Sequence, residues 1–222
     1  MMHTPHHEAP PDFNALAQPY HWLEFLTMGL HLERCRHYFL PQLTDARCAL
    51  VYGDGDGRFL AKLLQANSQV KVDAVDSSAN MLRLAKKRAD ALGTGQRLTL
   101  HHADARRFTP PSSSYDLFIA HFFVDCFSNA ELSEILDCVS PHLSPEALVV
   151  VSEFAIVKTG LMGIASRTAV ALLYRCFGLI TGLRTRHLPD HRDIFAGHRF
   201  TLVDHKTWLA GLLVSELWQH RR

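Results

Sequence analysis

None of the five cysteines, Cys35, Cys48, Cys126, Cys138 and Cys176, pairs with another at C-x-x-C spacing, which excludes zinc ribbons and thioredoxin-type redox motifs. His3, His6 and His7 of the N-terminal segment could bind a metal only weakly, and no metal is expected. Neither sign of charge is in excess: 23 Lys and Arg face 22 Asp and Glu, a formal net charge of +1, and nothing argues for a nucleic-acid partner held by electrostatics. Long apolar runs are missing as well. The nearest to one, residues 161–183, is broken by Arg167 and Arg175 and falls short of the roughly 18 uncharged apolar residues of a membrane span. An odd cysteine count without a secretory signal fits free thiols in a reducing cytoplasm. Peripheral contact with a membrane and the oligomeric state stay open.

What is present is enough apolar material for a core: 47% of 222 residues, ample for one compact domain. Residues 1–15 carry three histidines and three prolines with little apolar content and read as a flexible tail, leaving 16–222 as a single domain. Residues 20–40 place aromatics and leucines at helical spacing before Pro41. From there the pattern alternates. "RCALVY" reads as a buried strand and "GRFLAKLLQA" as a helix with Phe59, Leu60, Leu63 and Leu64 on one face. "VKVDAVD" is a second strand feeding a helix that Ser77 or Ser78 can cap. "RLTLHHAD" and "YDLFIAHFF" are strands three and four, Ser128 and Glu131 stand at capping-box spacing, and "EALVVVSEF" is an apolar fifth strand. Strand–helix alternation implies parallel strands joined by helical crossovers, hence a doubly wound α/β sheet with helices on both faces.

The turn between the first strand and the first helix holds Gly53, Gly55 and Gly57 in strict alternation. It lies at the sheet edge where doubly wound folds bind ligands, and bare backbone lets a ligand approach the peptide groups. A P-loop would need Lys-Ser or Lys-Thr after its glycines, which is absent. The dinucleotide fingerprint GxGxxG has Arg58 in place of its last glycine, which disfavours an NAD-linked oxidoreductase. Asp54 and Asp56 fill the gaps of a GxGxG pattern. Two carboxylates would repel a pyrophosphate and suit a ligand carrying positive charge. S-adenosylmethionine (SAM), with its ammonium and sulfonium, is such a ligand.

With these residues the sequence resembles the class I SAM-dependent methyltransferases, by motif over roughly residues 45–155 and by layout beyond. The resemblance implies a Rossmann-like seven-stranded sheet, mostly parallel, with residues 191–218 supplying a helix and then an antiparallel C-terminal hairpin of two strands. It implies that the glycine turn holds the methionine end of SAM. It implies that Asp76, at the tip of the second strand, binds the ribose hydroxyls, and that Asp104 meets the adenine amino group with the Ala105 backbone N–H beside the ring. The family commonly has an acid two residues before the first glycine, where this chain has Val51; Asp54 or Asp56 is expected to supply that carboxylate. The order of segments and the closing "WLAGLLVSELW" are loosely similar to the ubiquinone/menaquinone-type C-methyltransferases.

Methyl transfer from a sulfonium is an in-line displacement that needs alignment, exclusion of water and, for a hydroxyl or carbon acid, a base. The fourth-strand end, "HFFVDCF", lacks the Asn/Asp-Pro-Pro-aromatic tetrapeptide of many methylases of base amino groups. It offers His121 and Asp125 as the titratable candidates, His121 with a default pKa near neutrality. The apolar insertion at 161–183 is expected to cover the acceptor. The function expected is methylation of a small, rather apolar molecule on carbon or oxygen; a SAM-binding protein without catalysis is the alternative from another class.

Overall fold

The computed structural model describes residues 30–155 and 191–221. The expected tail at 1–15, the part of the N-terminal helix before residue 30 and the insertion at 161–183 lie outside the described residues.

One seven-stranded sheet organises the chain: β1 (Cys48–Tyr52), β2 (Lys71–Asp76), β3 (Leu98–His102), β4 (Tyr115–His121), β5 (Leu143–Phe154), β6 (Phe200–Trp208) and β7 (Leu213–His220). Their spatial order is β3-β2-β1-β4-β5-β7-β6. The first five pair in parallel, while β7 runs antiparallel to both β5 and β6. The expected terminal hairpin is therefore present, with its second strand inserted beside β5.

Helices α1 (Leu30–His37), α2 (Arg58–Ala66), α3 (Ala79–Ala91), α4 (Asn129–Val139) and α5 (His191–Gly197) flank the sheet. Phe59, Leu60, Leu63 and Leu64 of α2 and Ala85 and Ala89 of α3 pack with Val51, Ile119 and Val150 on one face. Leu132, Ile135, Leu136 and Val139 of α4 and Phe195 of α5 pack with Tyr52, Phe118 and Val149 on the other. Two apolar stripes at helical spacing on opposite faces make a doubly wound sheet.

Local signals set most boundaries. Ser78 caps α3 by accepting from the Met81 N–H, and Ser128 with Glu131 closes a reciprocal capping box on α4. Pro141 turns the end of α4 into a short 3-10 turn at Ser140–His142. β5 begins three residues earlier than the apolar run suggests, because Glu146 at φ +63° and a register shift opposite Tyr115/Leu117 let the chain rejoin the sheet after Pro145.

Candidate active site

The carboxyl ends of β1, β2 and β4 open onto a cavity of about 150 Å³. Its floor is the glycine turn. Gly53, Gly55 and Gly57 all have φ between +64° and +79°, a region costly for side chains with a Cβ. A Cβ on Gly57 would stand 2.5 Å from the Cα of Ala85, so this glycine lets α2 and α3 close together. A Cβ on Gly55 would meet nothing within 4 Å. Gly57 is thus a packing glycine, and Gly55 leaves open space where a side chain would stand.

The two turn carboxylates part ways. Asp56 accepts from Arg58 at 3.0 Å and from Arg88 at 2.9 Å, and Arg58 reaches on to Glu33 at 2.8 Å. Arg58, standing where a dinucleotide motif has glycine, thus belongs to an ion-pair chain beside the turn. Asp54 is enclosed and accepts the Leu60 N–H at 3.1 Å, serving α2 in place of the cap side chain that Gly57 lacks. Burial pushes its carboxyl up to about 7. Of the two acids expected to compensate for Val51, which is buried in the core, Asp54 is the one whose charge is not already matched by paired arginines.

Asp76 ends β2. Its carboxylate accepts the Ser78 N–H at 2.8 Å and the Gly55 N–H, and burial raises it to about 6. Ser78 does the capping of α3, so Asp76 is not simply a helix cap. Asp104 and Ala105 follow β3 and also line the cavity. Asp104 is gripped by Arg106 with Nη2–Oδ2 at 2.6 Å and Nε–Oδ1 at 3.0 Å; these bonds outweigh its partial burial and hold it below the usual carboxylate range. Arg106 also reaches Glu131 at 2.8 Å, linking this wall to the capping box of α4.

His121 ends β4 in the wall, with its ring edge-on to Phe59 at a centroid distance of 4.5 Å. Its Nδ1 lies 2.9 Å from Ser152 Oγ. Burial first, then the charges of Arg36 and His37, drives it well below the ordinary imidazole pKa. The near-neutral value expected by default does not survive enclosure, and the ring is uncharged at pH 7. Asp125, buried in the 3-10 turn Val124–Cys126, stands next to Glu153 and Cys126 and is not among the described residues lining the cavity. The structure does not bring it together with His121 there.

Sequence reasoning missed three contributors. Arg36 of α1 lines the cavity with its guanidinium 5.0 Å from the centre of the Phe122 ring. Phe122 itself has φ +52° and donates its N–H to Ser152 O at 2.6 Å, a tight reversal at the end of β4. Glu153 accepts the Phe123 and Val124 N–H groups, each at 2.9 Å, and so carries the backbone of the cavity wall. Burial and Asp125 push its carboxyl well above the usual range. Only the helical spacing before Pro41 hinted at Arg36; nothing local marks Glu153.

No group of three or more His, Cys, Asp or Glu suited to a metal occurs among the described residues, and no described helix is long and apolar enough to cross a membrane.

Strand order, the reversed β7 and a glycine turn facing acids at the ends of β2 and β3 define the fold of the class I SAM-dependent methyltransferases. Residues 49–146 match the family described as Methyltransferase domain. In sequence it is 25% identical over 131 residues to polyamine aminopropyltransferase 2 of Bacillus anthracis, covering 54% of this chain and 36% of that protein. It is 36% identical over 99 residues to the ribosomal protein uL3 glutamine methyltransferase of Burkholderia pseudomallei, covering 41% and 32%. The chain thus spans about a third of these relatives' length. In structure it is similar to an O-methyltransferase family protein of Burkholderia thailandensis, with TM-score 0.70 and 15% identity over 92% of this chain and 59% of that one. It is also similar to the N-methyltransferase NodS of Bradyrhizobium japonicum in complex with S-adenosyl-L-homocysteine (SAH), with TM-score 0.60 and 14% identity over 86% and 88%.

Proposed function

We propose that this protein is a SAM-dependent methyltransferase acting on oxygen or carbon of a small, rather apolar molecule. The observation that carries the reading is the convergence of four features on one cavity. These are the open space at Gly55, the enclosed acid Asp54, Asp76 at the tip of β2, and Asp104 with Ala105 after β3. Asp54 suits the ammonium of SAM, Asp76 the ribose hydroxyls, and the 104–106 wall the adenine. Arg36 adds a cation suited to the methionine carboxylate. That feature favours SAM over a carboxylate-free sulfonium such as an aminopropyl donor, a comparison that the aminopropyltransferase relative makes pertinent.

SAM supplies an electrophilic methyl, and the chain's task is to align the nucleophile, exclude water and take a proton where one must leave. Phe122, Phe123 and Phe127 line the cavity and give it an apolar side suited to an apolar acceptor. His121 is the base we assign. A ring that binds protons weakly matches an acceptor that gives them up readily, such as a phenolic or enolic hydroxyl or a stabilised carbon acid. Because the ring is already neutral near pH 7, turnover should stay flat between about pH 6.5 and 8. A rise with a midpoint near 6.5 would contradict the enclosure of His121.

Calorimetry should show SAM and SAH binding at micromolar concentration or tighter, about −8 kcal/mol, and no binding of NAD. Asp76→Ala should weaken SAM by roughly 1.5–3 kcal/mol, the range for a hydrogen bond to a charged group, while remaining folded. No heat with either ligand at millimolar concentration would defeat the reading. Labelled SAM incubated with small-molecule extracts then identifies the acceptor.

A further inference from the structure

His121, Ser152 and Ser215 stand directly opposite one another on β4, β5 and β7, a row across three neighbouring strands. All three side chains are buried. Ser152 Oγ lies at the centre, 2.9 Å from His121 Nδ1, 3.0 Å from Ser215 Oγ and 3.4 Å from the Cys35 carbonyl oxygen of α1. His121 Nε2 is buried and has no hydrogen-bond partner among the described residues.

Counting protons fixes the direction of these bonds. The Ser152 hydroxyl has one proton for these three nitrogen and oxygen contacts, and the Cys35 carbonyl can only accept. If Ser152 donates to that carbonyl, it accepts from Ser215 Oγ–H and from His121 Nδ1–H, and every contact is used. If Ser152 instead donated to Nδ1, the proton of the neutral ring would sit on Nε2, a buried N–H with nothing to accept it. Orphaned buried donors are rarer and costlier than bare acceptors. The other groups facing the ring do not compete: Phe59 presents an aromatic edge, and Arg36 and His37 of α1 act on it through charge. The Cys35 thiol also meets the Ser152 hydroxyl, but its proton goes to the Val214 carbonyl at 3.4 Å.

We propose that Ser152, backed by Ser215 and the Cys35 carbonyl, is a positioning residue that holds His121 as the Nδ1–H tautomer and leaves Nε2 as the nitrogen that receives the acceptor's proton. The second half rests on the function proposed above. As the acceptor atom bonds to the methyl carbon, the carbon–sulfur bond breaks with its electron pair passing to sulfur, and the proton shed by the acceptor goes to Nε2.

The test needs no substrate. Long-range ¹H–¹⁵N correlation on the full chain labelled with ¹⁵N-histidine, with His121→Gln to assign the ring, reads the tautomer directly. The expected spectrum shows Nδ1 protonated and Nε2 at the position of an unprotonated nitrogen. Ser152→Ala should shift population to the Nε2–H form, and Ser152→Thr, which keeps a hydroxyl, should restore the original. A wild-type spectrum with Nε2 protonated overturns the proposal, and so does an unaltered tautomer in folded Ser152→Ala. If Ser152→Ala does not fold, the wild-type spectrum still decides. Failure of the functional reading looks different. A wild-type Nδ1–H tautomer combined with undiminished methyl transfer by His121→Gln would remove the base and leave the tautomer assignment standing.

Discussion

Gly55 and Gly57 share a backbone conformation and differ in what surrounds them, so the same substitution should read out differently at each. Gly57→Ala places a methyl against the backbone of α3, and strain plus overpacking should cost roughly 2–4 kcal/mol of stability. Gly55→Ala carries only the conformational penalty, about 1–2 kcal/mol, because its Cβ meets nothing within 4 Å. SAM affinity should fall sharply in Gly55→Ala. Denaturant titration beside calorimetry separates the two; a Gly55→Ala protein with native SAM affinity would show that no ligand approaches that peptide.

Among elements, the segment from Phe122 to Cys126 joins β4 to α4 and carries much of the cavity wall. Beyond its own 3-10 turn at Val124–Cys126, it is held by Glu153 of β5, whose Oε1 accepts two of its backbone N–H groups. Burial and Asp125 push the carboxyl well above its usual range, which favours the neutral form, and a neutral carboxyl still accepts through its carbonyl oxygen. Glu153→Gln keeps that acceptor and should change stability little. Glu153→Ala leaves the buried Val124 N–H and the partly buried Phe123 N–H without their acceptor and should cost roughly 2–4 kcal/mol. Equal losses in thermal melts of the two variants would mean that the carboxylate charge, not the acceptor, holds the segment.

For the molecule as a whole, the cavity stores an electrostatic cost that a ligand relieves. Asp54 and Asp76 have folded pKa values of about 7 and about 6 against an ordinary 3.8. Between these limits the folded chain binds more protons than the unfolded one, so their contribution to stability is lost as pH rises through about 4 to 7. A ligand placing an ammonium at Asp54 and hydroxyls at Asp76 favours both charged forms, expels protons and binds more tightly as pH rises across the same window. At 100 times its Kd, SAM should add about 2.7 kcal/mol, roughly 5–10 °C in Tm for a chain of this size. The increment should be larger at pH 7.5 than at pH 5.5 at fixed SAM concentration, and Asp54→Asn should flatten the difference. Equal increments in wild type at both pH values would take these acids out of the binding site.

Much of this was decided locally and was therefore legible in sequence. Strand–helix alternation, the cap at Ser78, the capping box at Ser128 and Glu131, the glycine turn, Asp76 and Asp104 all depend on near neighbours or on spacing along the chain, and period and turn chemistry report those. What the sequence could not decide are relations across strands and between helices, because residues far apart in the chain meet only after the sheet has assembled. Strand order put Ser152 and Ser215 beside His121; packing put Arg36 over Phe122 and Glu153 under the wall. The division between Asp54 and Asp56 turned on where Arg58 and Arg88 came to rest. The pKa of His121 was likewise out of reach, since desolvation is a property of the enclosing volume and the chain supplies that volume only once it is folded.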